Sequence, residues 1–217
     1  MPDTDLSVPP GTVLVDWDNT LHDAAGTFFR ALRVVMRDRG VEVDRAAYRD
    51  AYDPDYRVLY RRLGLDARDV EAASGAWRAL VRASRPRLLA GAREALERIR
   101  GAGVPLAVVT GAPRAQVERQ LATLGLAWLT AVVSGGEAAA ARPDPAPLYL
   151  ARERLAATPP PFVYVGDTTP DMAMAAAAGM RGVGIAGFAA DEMQLRAAGA
   201  DETAPSFAAW TARWLPA

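Results

Sequence analysis

Apolar residues recur along this chain at two different periods. The stretches GTVLVDWD (11–18), VPLAVVT (104–110), AWLTAVVS (127–134), FVYVG (162–166) and RGVGIAG (181–187) are short and valine-rich, and turn formers or polar residues bound them. That is the pattern of strands buried on both faces of a parallel sheet. Between them lie segments with helical spacing: LLAGAREALERIRGAG (88–103), PRAQVERQLATLG (113–125), PLYLARERLAA (147–157) and PDMAMAAAAG (170–179). Pro113 stands near the start of one of these helices and Gly125 just past its end, the usual asymmetry of helix termini. Strands alternating with helices of this length predict an α/β fold: a Rossmann-like three-layer α/β/α core built on a parallel sheet.

Residues 22–87 break the alternation. AAGTFFRALRVVMRDRG (24–40), DRAAYRDAY (44–52), YRVLYRRLG (56–64) and VEAASGAWRALVRA (70–83) all carry helical periodicity, with no convincing strand between them. A helical block placed after the first strand of an otherwise regular α/β chain is most simply an inserted cap. The expected domains are therefore a core of 1–21 and 88–217 and a helical cap of 22–87.

Composition narrows the chemistry. There is no cysteine, one histidine (His22), and all 25 basic residues are arginine. Disulfides, thiolate nucleophiles and zinc sites of several cysteines or histidines are thereby excluded, leaving carboxylates, hydroxyls, arginines and a hard metal ion. The net charge of −1 argues against a nucleic-acid partner. No apolar run reaches the roughly 20 residues of a membrane span, and MPDTDLSVPP at the start is polar rather than signal-like. A cytoplasmic protein without membrane contact is expected. Residues 22–87 hold 14 of the 25 arginines. They are either a scatter over solvated helix faces or a basic segment suited to an anionic substrate.

In an open α/β sheet the ligand site lies beyond the carboxyl ends of the strands. There the sequence places Asp16, Trp17 and Asp18, then Thr110 and Gly111, then Gly166 and Asp167 with Asp171 in the following helix; Arg142 precedes another helix. Two acids one residue apart repel each other unless a cation or hydrogen bonds hold them. Hard oxygen donors of this kind suit Mg²⁺, which shares its shell among a few carboxylates, waters and substrate phosphate. On extended backbone Asp16 and Asp18 point the same way while Trp17 faces the core, and Asn19 tolerates the left-handed turn that bends the chain away.

DWDNT, the threonine of VVTG, the arginine of ARPDP, and GDTTPD follow one another in the order of the four motifs of the haloacid dehalogenase superfamily. The chain resembles that family over essentially its whole length, on the side of phosphoglycolate phosphatase-like members with a helical cap. The resemblance implies that Asp16 is the nucleophile, forming an aspartyl phosphate. Asp18 would protonate the leaving oxygen and then activate water. Mg²⁺ would be held by the Asp16 side chain, the Asp18 carbonyl and Asp167, with Asp171 direct or through water, and the phosphoryl oxygens by Thr110, the Gly111 amide and Arg142. The family's basic residue is usually lysine. Arginine keeps the charge and a fork that matches phosphate, and Arg114 is the alternative candidate. Asp18 sets the chain apart from dehalogenase-like and phosphonatase-like members, which lack this acid, and favours phosphate-ester chemistry.

The expected activity is hydrolysis of a small phosphorylated metabolite. A phosphomutase of the same family is the alternative; less favoured is a non-catalytic module that accepts phosphate on Asp16 or binds Mg²⁺. His22 follows the first motif and invites a catalytic role, but it reads most simply as a loop or helix-start residue near the hinge of the cap. Trp77, Trp128, Trp210 and Trp214 read as packing rather than as a base-stacking platform. Tyr52, Tyr56, Arg57 and Arg61 are either substrate contacts or one amphipathic face.

Overall fold

A computed structural model describes residues 8–53, 55–155 and 157–215, so the leading residues 1–7 of the amino-terminal stretch and Ala156 of the helix expected over 147–157 lie outside the described residues. The chain divides into two compact units, one of residues 1–23 and 87–217 and the other of residues 24–86.

The first unit is built on six parallel strands: β1 (Thr12–Val15), β2 (Leu106–Val109), β3 (Val132–Val133), β4 (Phe162–Gly166), β5 (Arg181–Ile185) and β6 (Glu202–Ala204). Their order across the sheet is β3-β2-β1-β4-β5-β6, and every pairing is parallel. Side chains alternate across it as a pleated strand requires. Val13, Val15, Val108, Val163 and Val165 face one apolar layer with Leu96, Ile99, Leu121, Phe207 and Trp210. Leu14, Ala107, Val109 and Tyr164 face the other, with Leu148, Ala151 and Met174. Two helix layers thus sandwich the sheet. Each fully buried large aliphatic side chain contributes roughly 1.5–3 kcal/mol, so the strands hold their places by burial on both faces.

The strand order reverses between β1 and β4. The chain winds outward from β1 through β2 to β3, then returns to pair β4 with the other edge of β1. A crevice opens at such a switch point, beyond the carboxyl ends of the two strands. Asp16 follows β1 and Asp167 follows β4; the Asp16 N–H donates to Val165 O at 2.8 Å, which locks their register.

The structure extends the sequence reading in two places. A short polar strand, β6, and two helices, Glu192–Ala197 and Phe207–Thr211, follow RGVGIAG, the last strand the sequence predicts. β6 has only three residues, ETA, too few for an alternating pattern to register. Of AWLTAVVS only two residues form a strand. Leu126 and Leu129 are apolar because they enter the core from a turn, not because they belong to the sheet.

The second unit consists of α1 (Ala24–Arg37), α2 (Arg45–Ala51), α3 (Tyr56–Arg62) and α4 (Val70–Ala83), with a 3₁₀ turn before α4, and the helices of the first unit continue as α5 (Ala92–Gly101), α6 (Arg114–Thr123), α7 (Ala146–Glu153) and α8 (Thr169–Ala177). Asp44 and Asp55 cap α2 and α3 by accepting from the Ala47 and Arg57 amides at 2.8 and 2.9 Å, satisfying donors that a helix start leaves open. Aromatic contacts tie the unit together: Phe28 with Trp77 at 5.2 Å and Phe29 with Tyr48 at 5.5 Å between ring centroids. Phe28, Tyr48 and Trp77 border an apolar cavity of about 210 Å³ that Tyr52 and Tyr56 also line. Arg57 pairs with Glu71 at 3.1 Å, and the Tyr56 hydroxyl donates to the same carboxylate at 2.9 Å.

Candidate active site

Asp16, Asp167 and Asp171 converge at the switch point. Each can place a carboxylate oxygen within 4.8 Å of the others, and all three are buried. Strand β1 delivers Asp16, the end of β4 delivers Asp167, and α8 (Thr169–Ala177) delivers Asp171 from its first turn. Arg142 reaches into the same group. One guanidinium nitrogen lies 2.5 Å from Asp16 Oδ1 and donates to Val109 O at 2.8 Å; the other lies 2.9 Å from Asp171 Oδ1.

The two halves of GDTTPD do different work. Asp171 Oδ2 accepts from the Thr168 amide at 3.1 Å and its hydroxyl at 2.6 Å, closing a capping box at the start of α8. Its Oδ1 accepts from the Tyr164 hydroxyl at 2.9 Å as well as from Arg142. Both oxygens of Asp171 are therefore heavily engaged. Asp167 is the opposite case: its buried Oδ2 finds no hydrogen-bond partner among the described residues. A buried carboxylate oxygen without a partner costs stability unless something charged meets it.

The electrostatics follow. Burial raises Asp16 from the ordinary carboxylate range to about 7; Arg142 opposes the rise and Asp171 adds to it. Burial, then the charges of Asp16 and Asp171, pushes Asp167 up to about 9. A cluster in which ionisation is this costly is one that a hard cation relieves, and the three acids could hold a metal ion through oxygen donors.

Thr110 and Gly111 lie where expected, just past β2. With Ser134, Gly135, Gly136 and Arg142 they line a cavity of about 310 Å³. Thr110 is buried, its hydroxyl accepting from the Ala112 amide at 3.1 Å, while Gly111 is exposed. Gly135 has to be glycine, because a Cβ there would stand 2.3 Å from Gly111 O. Arg114, the alternative cation, is committed elsewhere: its guanidinium donates to Glu137 at 2.7 Å and to Glu118 at 3.1 Å.

One expected member does not join the cluster. The carboxylate of Asp18 is partly exposed, and its Oδ1 lies 2.8 Å from His22 Nδ1. It is outside the group of three acids, although its charge is felt at Asp16. Trp17 turns into the core and is fully buried, while Asn19 takes the left-handed conformation at φ 63°. The sequence reading did not single out Tyr164, whose hydroxyl donates to Asp171. Tyr164 sits on the even-numbered face of FVYVG among valines, and a polar-tipped residue in such a run was the available signal. His22, for which a loop position and a catalytic role were both open from the sequence, contacts the Asp18 carboxylate. The tryptophans pack: Trp210 is buried in the core, Trp128 and Trp214 lean on it, and the Trp77 indole donates to Phe28 O at 3.1 Å.

Known proteins resemble this chain in sequence and in fold. Residues 13–185 match the family model of haloacid dehalogenase-like hydrolases. The chain belongs to that family, as a phosphatase-like member. A phosphoglycolate phosphatase of Xanthomonas campestris pv. campestris (strain 8004) is 31% identical over 182 residues, covering 80% of this chain and 82% of the relative. Another phosphoglycolate phosphatase, from Pectobacterium atrosepticum, is 37% identical over 94 residues, and that match spans only 43% of this chain and 40% of the relative's length. Among solved structures, a candidate β-phosphoglucomutase from Thermotoga maritima superposes with a TM-score of 0.73 at 23% identity, over 94% of this chain and 96% of that one. The last likeness concerns the fold. No helix among the described residues is long and apolar enough to cross a membrane.

Proposed function

We propose that this chain is a Mg²⁺-dependent phosphatase that hydrolyses a small phosphorylated metabolite through an aspartyl phosphate on Asp16. The observation that carries the reading is a buried carboxylate at the end of β1 with two further buried acids within 4.8 Å and a second acid, Asp18, two residues on. The unpartnered Asp167 Oδ2 supports a cation at this place. Asp16, Asp167 and the Asp18 carbonyl would hold it, with Asp171 contributing charge. Bound there, Mg²⁺ supplies charge neutralisation between an anionic nucleophile and an anionic phosphate.

The chain's own residues do the rest. Asp16 attacks phosphorus. Asp18, outside the buried cluster and open to solvent, gives a proton to the leaving oxygen and later takes one from water. Thr110, the Gly111 amide and Arg142 hold the equatorial phosphoryl oxygens where charge accumulates. The helical unit of residues 24–86 serves as the cap that selects small substrates. The phosphoglycolate phosphatase relatives make short phosphorylated acids the first compounds to assay.

The test is phosphate release from phosphoglycolate and other small monoesters, with Mg²⁺ and with chelator. Asp16→Asn should abolish release, even from an activated aryl phosphate. Sustained turnover by that variant overturns the mechanism. Conversion of a sugar 1-phosphate to its 6-phosphate without free phosphate would identify a mutase instead.

A further inference from the structure

His22 is held from several directions. Its ring lies parallel to Trp17, with centroids 5.7 Å apart and planes at 7°, and Trp17 is fixed in the core. Its N–H donates to Trp17 O at 2.8 Å, and its carbonyl accepts from the Asn19 amide at 2.7 Å. It also bridges to Leu88, flanked by hydrogen bonds from Leu89 N to Leu21 O at 2.8 Å and from Asp23 N to Arg87 O at 2.9 Å. Only 3% of the residue is exposed. The Asp18 side chain, by contrast, is 31% exposed. Left alone on a turn, such a carboxylate samples several rotamers. Here its Oδ1 is tied at 2.8 Å to the fixed imidazole.

An ionised carboxylate can only accept, so the contact selects the histidine tautomer that carries its proton on Nδ1. We infer that His22 is a positioning residue for Asp18: its Nδ1–H holds Oδ1 and leaves Oδ2 as the oxygen that carries the proton during catalysis. The inference rests on the phosphatase reading above. In the first step the bond from Asp16 to phosphorus forms, the bond from phosphorus to the leaving oxygen breaks, and that oxygen takes the proton from Asp18 Oδ2. In the second, water bonds to phosphorus and gives its proton to Oδ2, while the bond to Asp16 breaks and phosphate leaves. His22 neither gains nor loses a proton in the cycle. Its contribution is orientation, the quantity to which proton transfer is most sensitive.

The experiment compares kcat/KM, which reports the steps through phosphorylation of the enzyme, for an alkyl phosphate and for p-nitrophenyl phosphate. The alkyl oxygen needs a proton to leave; the nitrophenolate scarcely does. His22→Phe keeps a ring on Trp17 and removes the donor, with His22→Leu as the donorless variant if phenylalanine prevents folding. His22→Asn restores an N–H at similar reach. The donorless variant should lose ~10–100-fold on the alkyl ester and less than ~3-fold on the aryl ester, and His22→Asn should recover most of the loss. An equal fall on both esters, no fall on either, or an asparagine variant no better than the donorless one overturns the inference. Asp18→Asn is run beside them. If it shows the alkyl bias and the donorless variant does not, only the role of His22 fails. If Asp18→Asn itself lacks the bias, the general-acid reading fails and the positioning role falls with it.

Discussion

At the scale of single residues, the decisive feature is a guanidinium where the family's pattern usually carries an amine. Arg142 spans Asp16 and Asp171 with its two terminal nitrogens and also donates to Val109 O, using a planar fork where an ammonium would offer a single nitrogen. Its side chain is mostly buried, so removing it strands two acids without a counter-ion. Without metal, Arg142→Ala should lose ~3–5 kcal/mol of unfolding free energy, the usual consequence of breaking a buried pair. Arg142→Lys should lose clearly less. Chemical denaturation in the presence of chelator measures both, and equal losses would mean that charge alone has no part in holding the cluster. The residue types at the site were legible from spacing along the chain. The engagement of Arg142 with the acids was not, because sequence spacing says nothing about where a long side chain ends.

Elements decide how tightly those residues are held. α8 begins in a reciprocal cap between Thr168 and Asp171, and the same Asp171 leans against the end of β4. A Cβ on Gly166 would stand 2.7 Å from Asp171 Cβ and Cγ. The glycine of GDTTPD is therefore required by close approach rather than by an unusual backbone angle. Gly166→Ala should push Asp171 off its cap, costing ~1–3 kcal/mol as overpacking does. It should also weaken Mg²⁺ binding measured by titration calorimetry. Unchanged stability would show that α8 can shift at no cost. The motif was visible in the sequence, but the reason for its glycine needed the strand and helix side by side. The missed strand β6 teaches a related lesson: its place is set by pairing with β5, while its three residues carry no pattern of their own.

For the whole molecule, the buried acids make stability depend on pH and metal together. Burial, first of all, raises Asp16 to about 7 and Asp167 to about 9, against 3.8 for a free carboxylate. The folded chain therefore holds protons that the unfolded chain releases. The sign follows: without metal, stability is greatest below about pH 4 with respect to these groups and falls as pH rises through about 7 and 9. A divalent cation binds the ionised form, so its stabilisation should grow with pH. Thermal melts with and without Mg²⁺ at about pH 5 and about pH 8 read this directly; a metal-induced shift of equal size at both would contradict it. The sequence by itself determined the α/β class, the helical character of the insertion and the family, because periodicity and motif order are properties of the linear chain. Only the tertiary structure decided that three acids share one buried space, that Asp18 stands apart on His22, and that Arg142 rather than Arg114 answers the negative charge. Those outcomes depend on which strands lie adjacent and where side chains end, and adjacency across the reversal between β1 and β4 joins positions some 150 residues apart in the chain.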